Sequence, residues 1–264
     1  MRAPARWIPP LRREGAWQMA LDEWLLDQAL ASPATAAPVL RFYTWSRPTL
    51  SLGFHQHRLP SHWPDVLAKG GLDLVRRPSG GRAVLHAGEL TYALLWPHAP
   101  QRRSEAYAQA CGWLQAAFAE LGLPLAFGHQ AASTERSSCF ATSTIADLVH
   151  PGGAKRIGSA QLWRGGCLLQ HGTIMAQPPP QLWLELFHQP PPALPPLPLG
   201  QADLVTHLRQ AAERHWPALA EATLQERPLD AAELAGIAQR QDRYCTSPAA
   251  TMPRATCARL RPRG

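Results

Sequence analysis

RRPSGGRAVLHAGELTYALLW, residues 76–96, sets two arginines and a Ser-Gly-Gly turn between two runs in which polar and apolar residues alternate. Alternation with a period of two marks strands that bury one face. Three strands are expected between 72 and 96, broken at Ser79-Gly80-Gly81 and at Ala87-Gly88. A Gly-Gly turn after a strand either reverses the chain as a plain hairpin or brings backbone N–H groups against an anionic or carbonyl group, since glycine lacks the Cβ that would block approach. Neither Gly-Lys-Ser/Thr nor G-x-G-x-x-G is present, so the nucleotide phosphate patterns are not met. Flanking by Arg76, Arg77 and Arg82 keeps both readings of the turn open.

Upstream, EGAWQMALDEWLLDQAL places Trp17, Leu21, Trp24, Leu25 and Gln28 at helical spacing. PVLRFYTWSRPTLSLGFHQH then gives two strand-like runs broken at Ser46-Arg47-Pro48. Downstream, SEAYAQACGWLQAAFAELGL is a helix ending at Gly122 and Pro124. STIADLVH, AKRIGSAQLW and CLLQHGTIMA follow, joined by Pro151-Gly152-Gly153 and Arg164-Gly165-Gly166, which implies an antiparallel meander. Hairpins with isolated helices argue for an α+β domain and against a doubly wound parallel sheet. Such a domain is expected over 1–178, then a proline-dense semi-rigid linker over 179–200, then a helical extension with a loosely ordered tail over 201–264.

The chain of 264 residues is 45% hydrophobic and 17% charged, the balance of a soluble globular protein. It has no apolar run of about 18 residues and no apolar core near its start, so neither a membrane span nor a secretory signal is expected, and a cytoplasmic monomer is. The net charge of +7 is spread over scattered arginines without a helix-turn-helix or an aromatic-basic sheet motif. Acidic protein partners fit that charge, and nucleic acid is not expected. Five cysteines, Cys111, Cys139, Cys167, Cys245 and Cys257, form no Cys-x-x-Cys pair and no zinc spacing, which fits a reducing compartment.

Several residues have chemistry to offer. His55 and His57 would share a face of a strand, as two metal ligands do, but no third ligand is evident and no metal is expected. His86 and His171 stand beside small residues, compatible with a pocket rim; core, hydrogen-bonding and proton-transfer roles all remain open. A turn centred near 165 pairs His171 with about Ser159. Gly158, Ser159 and Ala160 leave room for a slender ligand, or for tight strand packing. Cys139 precedes a strand, where a cysteine is either a small buried hydrophobe or a nucleophile. Cys167 is expected to pack in a strand, with a nucleophile's role as second choice, and Cys111 to lie in the core of its helix.

Arg76-Arg77-x-Ser79-Gly80-Gly81-x-Ala83-Val84-x-His86, followed by Glu89-Leu90-Thr91-Tyr92, resembles the lipoate-protein ligase and octanoyltransferase family of the biotin/lipoate protein ligase superfamily. Further matches come in family order: GAWQMALDEWLL, SLGFHQ with Gly53 and Gln56, KRIGSAQ and LLQHGTI, over roughly residues 14–176. The resemblance implies a mixed, mostly antiparallel sheet with flanking helices around a bound acyl chain. It implies acyl-binding roles for Arg76, Arg77, Ser79, Gly80, Gly81, Ala83, His86, Gly158, Ser159, Ala160, His171 and Gly172. It implies an octanoyl or lipoyl group as cargo, and acyl carrier protein and lipoyl-carrier domains as partners.

Within the family, ligases activate a free acid with ATP and magnesium, whereas transferases pass the group through a cysteine thioester and need no cofactor. The Cys139-Phe140 element is similar to that of an octanoyltransferase subgroup typified by Firmicutes enzymes, which implies Cys139 as nucleophile and Lys155 as its activator and acyl-carbonyl partner. A free thiol with a pKa of about 8.5 is only a few per cent thiolate at neutral pH, and a nearby ammonium lowers that pKa. Cys139 lies beyond simple strand-pairing reach of Lys155, so the 139–144 loop is expected to fold back over the sheet. The chain departs from the family at Thr142–Asp147, where Pro-Ser-x-Tyr-Glu is usual, which leaves substrate detail open. A ligase and a non-catalytic carrier-binding protein are the alternatives to the transferase.

Overall fold

Period-two alternation decides which side of the molecule each strand faces. In the strand β6 (Glu89–Trp96), Leu90, Tyr92, Leu94 and Trp96 enter one core, and Ala93 and Leu95 enter another. The computed structural model describes residues 4–128 and 146–245. Cys139, and with it the expected course of the 139–144 loop, lies outside the described residues, as does the expected tail from 246 onward.

The elements run β1 (Arg6–Arg13), α1 (Gly15–Ala31), β2 (Val39–Trp45), β3 (Thr49–Leu52), α2 (Trp63–Ala68), β4 (Asp73–Arg76), β5 (Val84–His86), β6, α3 (Arg103–Glu120), β7 (Ala126–Phe127), β8 (Asp147–Val149), β9 (Lys155–Arg164), β10 (Cys167–Met175), α4 (Pro180–Phe187), α5 (Gln201–His215), β11 (Gln225–Glu226) and α6 (Ala231–Gln241). Eight strands form one sheet in the order β11-β1-β2-β6-β10-β9-β8-β7, and three form a second in the order β4-β3-β5. The β11-β1 and β1-β2 pairs are parallel and the rest of the large sheet is antiparallel, so the architecture is the expected mixed α+β one.

One face of the large sheet packs on α3 and α5, where Phe42, Tyr92, Trp113, Phe118 and Leu208 are fully buried. The other packs on α1, with Leu21, Leu26, Tyr43 and Leu169, and α6 covers the outer side of α1 through Ile237. This second cover explains why α1 is buried around most of its circumference, beyond the stripe its apolar spacing marks. The small sheet has its own core with α2 and α4, into which the proline-dense stretch contributes Trp183, Leu186 and Phe187. A buried Arg156 donates to the carbonyls of Met175 and Pro195, tying that stretch to the end of β10. Arg6 on β1 makes a two-pronged ion pair with Glu233 of α6, at 2.7 and 2.8 Å, and donates to the Arg227 and Pro228 carbonyls.

Three local expectations are corrected. β4 and β5 lie on opposite sides of β3, so Ser79-Gly80-Gly81 crosses over the end of β3 and is not a hairpin turn. β3 ends at Leu52, and His55 and His57 lie in the turn beyond it; Arg76 Nη1 holds the Gly53 and Gln56 carbonyls at 2.9 and 2.8 Å and curls the chain out of strand geometry. His171 pairs with Ala160, one residue from the expected Ser159, because the two-residue turn Gly165-Gly166, both at positive φ, puts Cys167 opposite Arg164.

Candidate functional site

The loop between β4 and β5 is braced from inside. Arg77 is buried and donates to the Ser51 carbonyl at 2.9 Å and to the Gly80 and Arg82 carbonyls at 2.7 Å. A Cβ on Gly53 would stand 1.8 Å from the Gly81 carbonyl oxygen, so the two glycines permit an approach of backbone to backbone that no other residue allows at 53. Ser79 is thereby held in the interior, its backbone carbonyl accepting from Phe54 N–H and its side chain buried.

Beneath the loop lies a narrow cavity on the α1 side of the sheet. It is lined by Met19, Tyr43, Trp45, Ser51, Arg77, Gly81, Val84, His86, Thr91, Gly158, Ser159, Ala160, His171, Gly172 and Thr173. Eight residues implicated from sequence therefore meet around one space: Arg77, Gly81, His86, the 158–160 segment, His171 and Gly172. An outer cleft adjoins it, lined among others by Arg76, Arg77, Gly80, Phe54, Arg103, Trp163, Arg164 and Arg243, and Arg77 borders both. Ala83 instead packs in the core of the small sheet.

Two histidines of the cavity carry three-residue networks. His171 Nδ1 is 2.9 Å from Asp22 Oδ2, and its Nε2 makes a short hydrogen bond with Ser79 Oγ. Asp22 Oδ1 takes both Arg41 Nη2, at 2.6 Å, and Arg41 Nε, at 3.0 Å, while Arg41 Nη1 donates to Gln18 Oε1 at 2.7 Å. Burial works to raise the Asp22 carboxyl, but the Arg41 charge and the His171 hydrogen bond outweigh it and hold it below the usual carboxylate range. The Arg41 guanidinium also lies over the Tyr43 ring, 3.9 Å from its centroid. His86 bonds Ser51 Oγ at 2.8 Å and Glu89 at 3.2 Å and stacks on Trp45 at 3.8 Å. Burial lowers the His86 pKa in spite of Glu89.

Lys155 begins β9 and is buried, its Nζ 2.9 Å from Asp147 Oδ1. A register shift between Leu148 and Val149 gives β9 one extra residue there, which sets Lys155 opposite Val149 and within reach of Asp147. Asp147 in turn stands opposite Gly158 of the cavity wall. Cys111 and Cys167 are buried; desolvation pushes the Cys111 thiol up to about 11, which leaves it unsuited to be a nucleophile.

Sequence reasoning missed Asp22, Arg41 and Asp147. The first two carried a signal: a charged residue inside each of two otherwise buried segments, with opposite signs. No helix of the described residues is long and apolar enough to cross a membrane, and no group of three or more metal-ligating side chains occurs among them.

The mixed sheet with its flanking helices is the fold of solved lipoate-protein ligases. Lipoate-protein ligase A bound with ATP superposes with a TM-score of 0.71 at 16% identity, covering 92% of this chain and 95% of that one. The bipartite lipoate protein ligase of Thermoplasma acidophilum, described with its E2 lipoyl domain, gives 0.69 at 13% identity and covers 97% and 99%. The chain belongs to the lipoyl protein ligase A/B catalytic domain family, whose model matches residues 14–191. Among its relatives, octanoyltransferase LipM of Carboxydothermus hydrogenoformans is 40% identical over 175 residues, and the match spans 64% of each chain. Octanoyltransferase LipM of Anoxybacillus flavithermus is 37% identical over 187 residues, spanning 66% of each.

Proposed function

We propose that this protein is a cytoplasmic octanoyltransferase of protein lipoylation. It moves an octanoyl group from a thioester donor, such as octanoyl-acyl carrier protein, to a lysine of a lipoyl-carrier domain. The relatives named octanoyltransferase carry this reading, and the cavity supports it, since the small residues Gly81, Gly158, Ala160 and Gly172 in its wall leave room for an unbranched acyl chain. Cys139 serves as nucleophile: its thiolate attacks the donor carbonyl, the carrier's thiol leaves, and the target amine then displaces Cys139. Lys155, fixed by Asp147, supplies positive charge beside the reacting carbonyl, and N–H groups of Gly80 and Gly81 add to the stabilisation of the tetrahedral oxyanion. A thioester already carries the activation, so neither ATP nor magnesium is needed. The arginines of the outer cleft face an acidic carrier, and the protein acts as a monomer.

Intact-mass measurement after mixing with octanoyl-acyl carrier protein tests the scheme. An octanoyl adduct formed without ATP and lost in Cys139→Ala is expected. An adduct that persists in Cys139→Ala overturns the nucleophile, and amide formation that needs ATP and magnesium overturns the transferase.

A further inference from the structure

Three parts of the chain far apart in sequence converge on one hydrogen-bonded network. Asp22 comes from α1, His171 from β10 and Ser79 from the crossover loop, and all three side chains are buried. The protonation pattern follows from the partners. Asp22 shares one oxygen with Arg41 and keeps the other for His171, and as a carboxylate it can only accept. Nδ1 of His171 must therefore be the donor to Asp22, which leaves Nε2 of the neutral ring as an acceptor for the Ser79 hydroxyl. His171 and Gly81 line the inner cavity and Pro78 and Gly80 line the outer cleft; Ser79, buried and lining neither, is the chain neighbour of residues on both.

We infer that Asp22, His171 and Ser79 form a proton relay for acyl transfer at this cavity, with His171 as the carrier, Ser79 as the conduit and Asp22 as the group that fixes the tautomer. The inference rests on the acyl-transfer reading above. In the amide-forming step the lysine amine attacks the thioester carbonyl; the C–N bond forms, the C–S bond breaks, and nitrogen must shed one proton while sulfur gains one. That proton passes to Ser79 Oγ as the hydroxyl's own proton passes to His171 Nε2. The imidazolium, beside the Asp22 carboxylate, then returns a proton along the same path to the departing sulfur. Amide and free thiol result, and Ser79 and His171 regain their starting states. Among the described residues, Asp22 from α1 and Ser79 from the segment after β4 contact His171, His86 from β5 interacts with it, Tyr43 from β2 and Arg77 line the same cavity, and Arg41 from β2 reaches it only through Asp22; its strand neighbours Ala93 and Ala160 carry no charge. Asp22 is the carboxylate in direct contact with His171, at 2.9 Å.

The test is the pH profile of octanoyl transfer to a lipoyl domain, from about pH 5.5 to 9, for wild type, Ser79→Ala, Ser79→Thr and His171→Gln. Ser79→Ala and His171→Gln are expected to lose about 10²- to 10⁴-fold in kcat, with KM for the lipoyl domain within about threefold and the acidic limb of the profile gone. Ser79→Thr, which keeps the hydroxyl, is expected to recover most of the rate. Imidazole ¹⁵N spectra read the tautomer without reference to activity: His171 is expected to be Nδ1-protonated in the wild type. An Nε2-protonated His171, variants with kcat within about threefold of wild type, or slow variants that keep the wild-type profile shape would each overturn the relay. A wild-type protein that makes no octanoyl amide at any pH would overturn the transferase reading as well, and is told apart from the other failures by that absence alone.

Discussion

Cutting Asp22 back to alanine strands the Arg41 guanidinium in the interior, where the two side chains are 0% and 1% exposed. Its remaining partners are the neutral amide and carbonyl oxygens of Gln18 and the face of Tyr43, none of which replaces a full negative charge. Breaking a buried pair from one side costs about 3–5 kcal/mol, because the surviving charge stays desolvated. At about 2–4 °C per kcal/mol for a chain of this size, Asp22→Ala should lower Tm by roughly 6–20 °C. Removing both charges is the discriminating control: Asp22→Ala/Arg41→Leu should regain most of that loss, since no isolated charge remains. Urea unfolding followed by circular dichroism gives the free energies. An Asp22→Ala loss below about 1 kcal/mol, or a double variant no more stable than the single one, would refute the argument that buried Arg41 depends on Asp22 for its compensating charge. The folded pKa of Asp22 lies below its unfolded value, so its contribution is present above about pH 4 and fades as pH falls through the folded value.

His86 titrates in a different window with the same sign: its folded pKa is depressed, so stability should fall as pH drops below about 6.5, and His86→Gln should flatten Tm between about pH 5 and 7. Equal slopes in wild type and variant would contradict this. Gly53→Ala must push the Gly81 carbonyl aside, at a cost of about 1–3 kcal/mol in urea unfolding, and should impair octanoyl transfer through the displaced loop. An alanine variant of wild-type stability and rate would show that the loop yields freely. Lys155→Met removes the ammonium 2.9 Å from buried Asp147, whereas Lys155→Met/Asp147→Asn removes both charges of the pair; thermal melts should improve from the first to the second. Acyl-enzyme measured by intact mass should stay low in both, and its recovery in the double variant would argue that Lys155 is structural.

Sequence patterns carried the elements whose logic is local. Alternation marked the three strands of 72–96, and the glycine turns marked the meander, because a strand's period and a turn's backbone demands are written in adjacent residues. What escaped depends on partners far away. Nothing near Ser79 says that β5 will pass β4 and settle on the other side of β3. Nothing near Asp22 announces His171, 149 residues later. The Arg41 signal was present, since a charge in a buried strand requires an opposite charge, but the sequence does not say which acidic residue answers it. Lys155 stood out through a motif, whereas its partner Asp147 lay in the stretch where the motif fails. Proline density likewise speaks of backbone stiffness and is silent about where Trp183 and Phe187 pack.

The clamp of Arg6 on Glu233 joins residues 227 positions apart, and β11 lies on β1 across a comparable span. A ribosome delivers these partners in the wrong order for early closure. When β1 emerges, the two residues that will cover its outer edge are some two hundred codons away, and the strand must wait with hydrogen-bonding groups bare. Non-local closure of this kind slows folding and lengthens the exposure of an unpaired edge. Any nascent chain halted before about residue 225 thus carries an open strand, and stalled or truncated products of this gene should be the species that chaperones retain and that aggregate when expression outruns them.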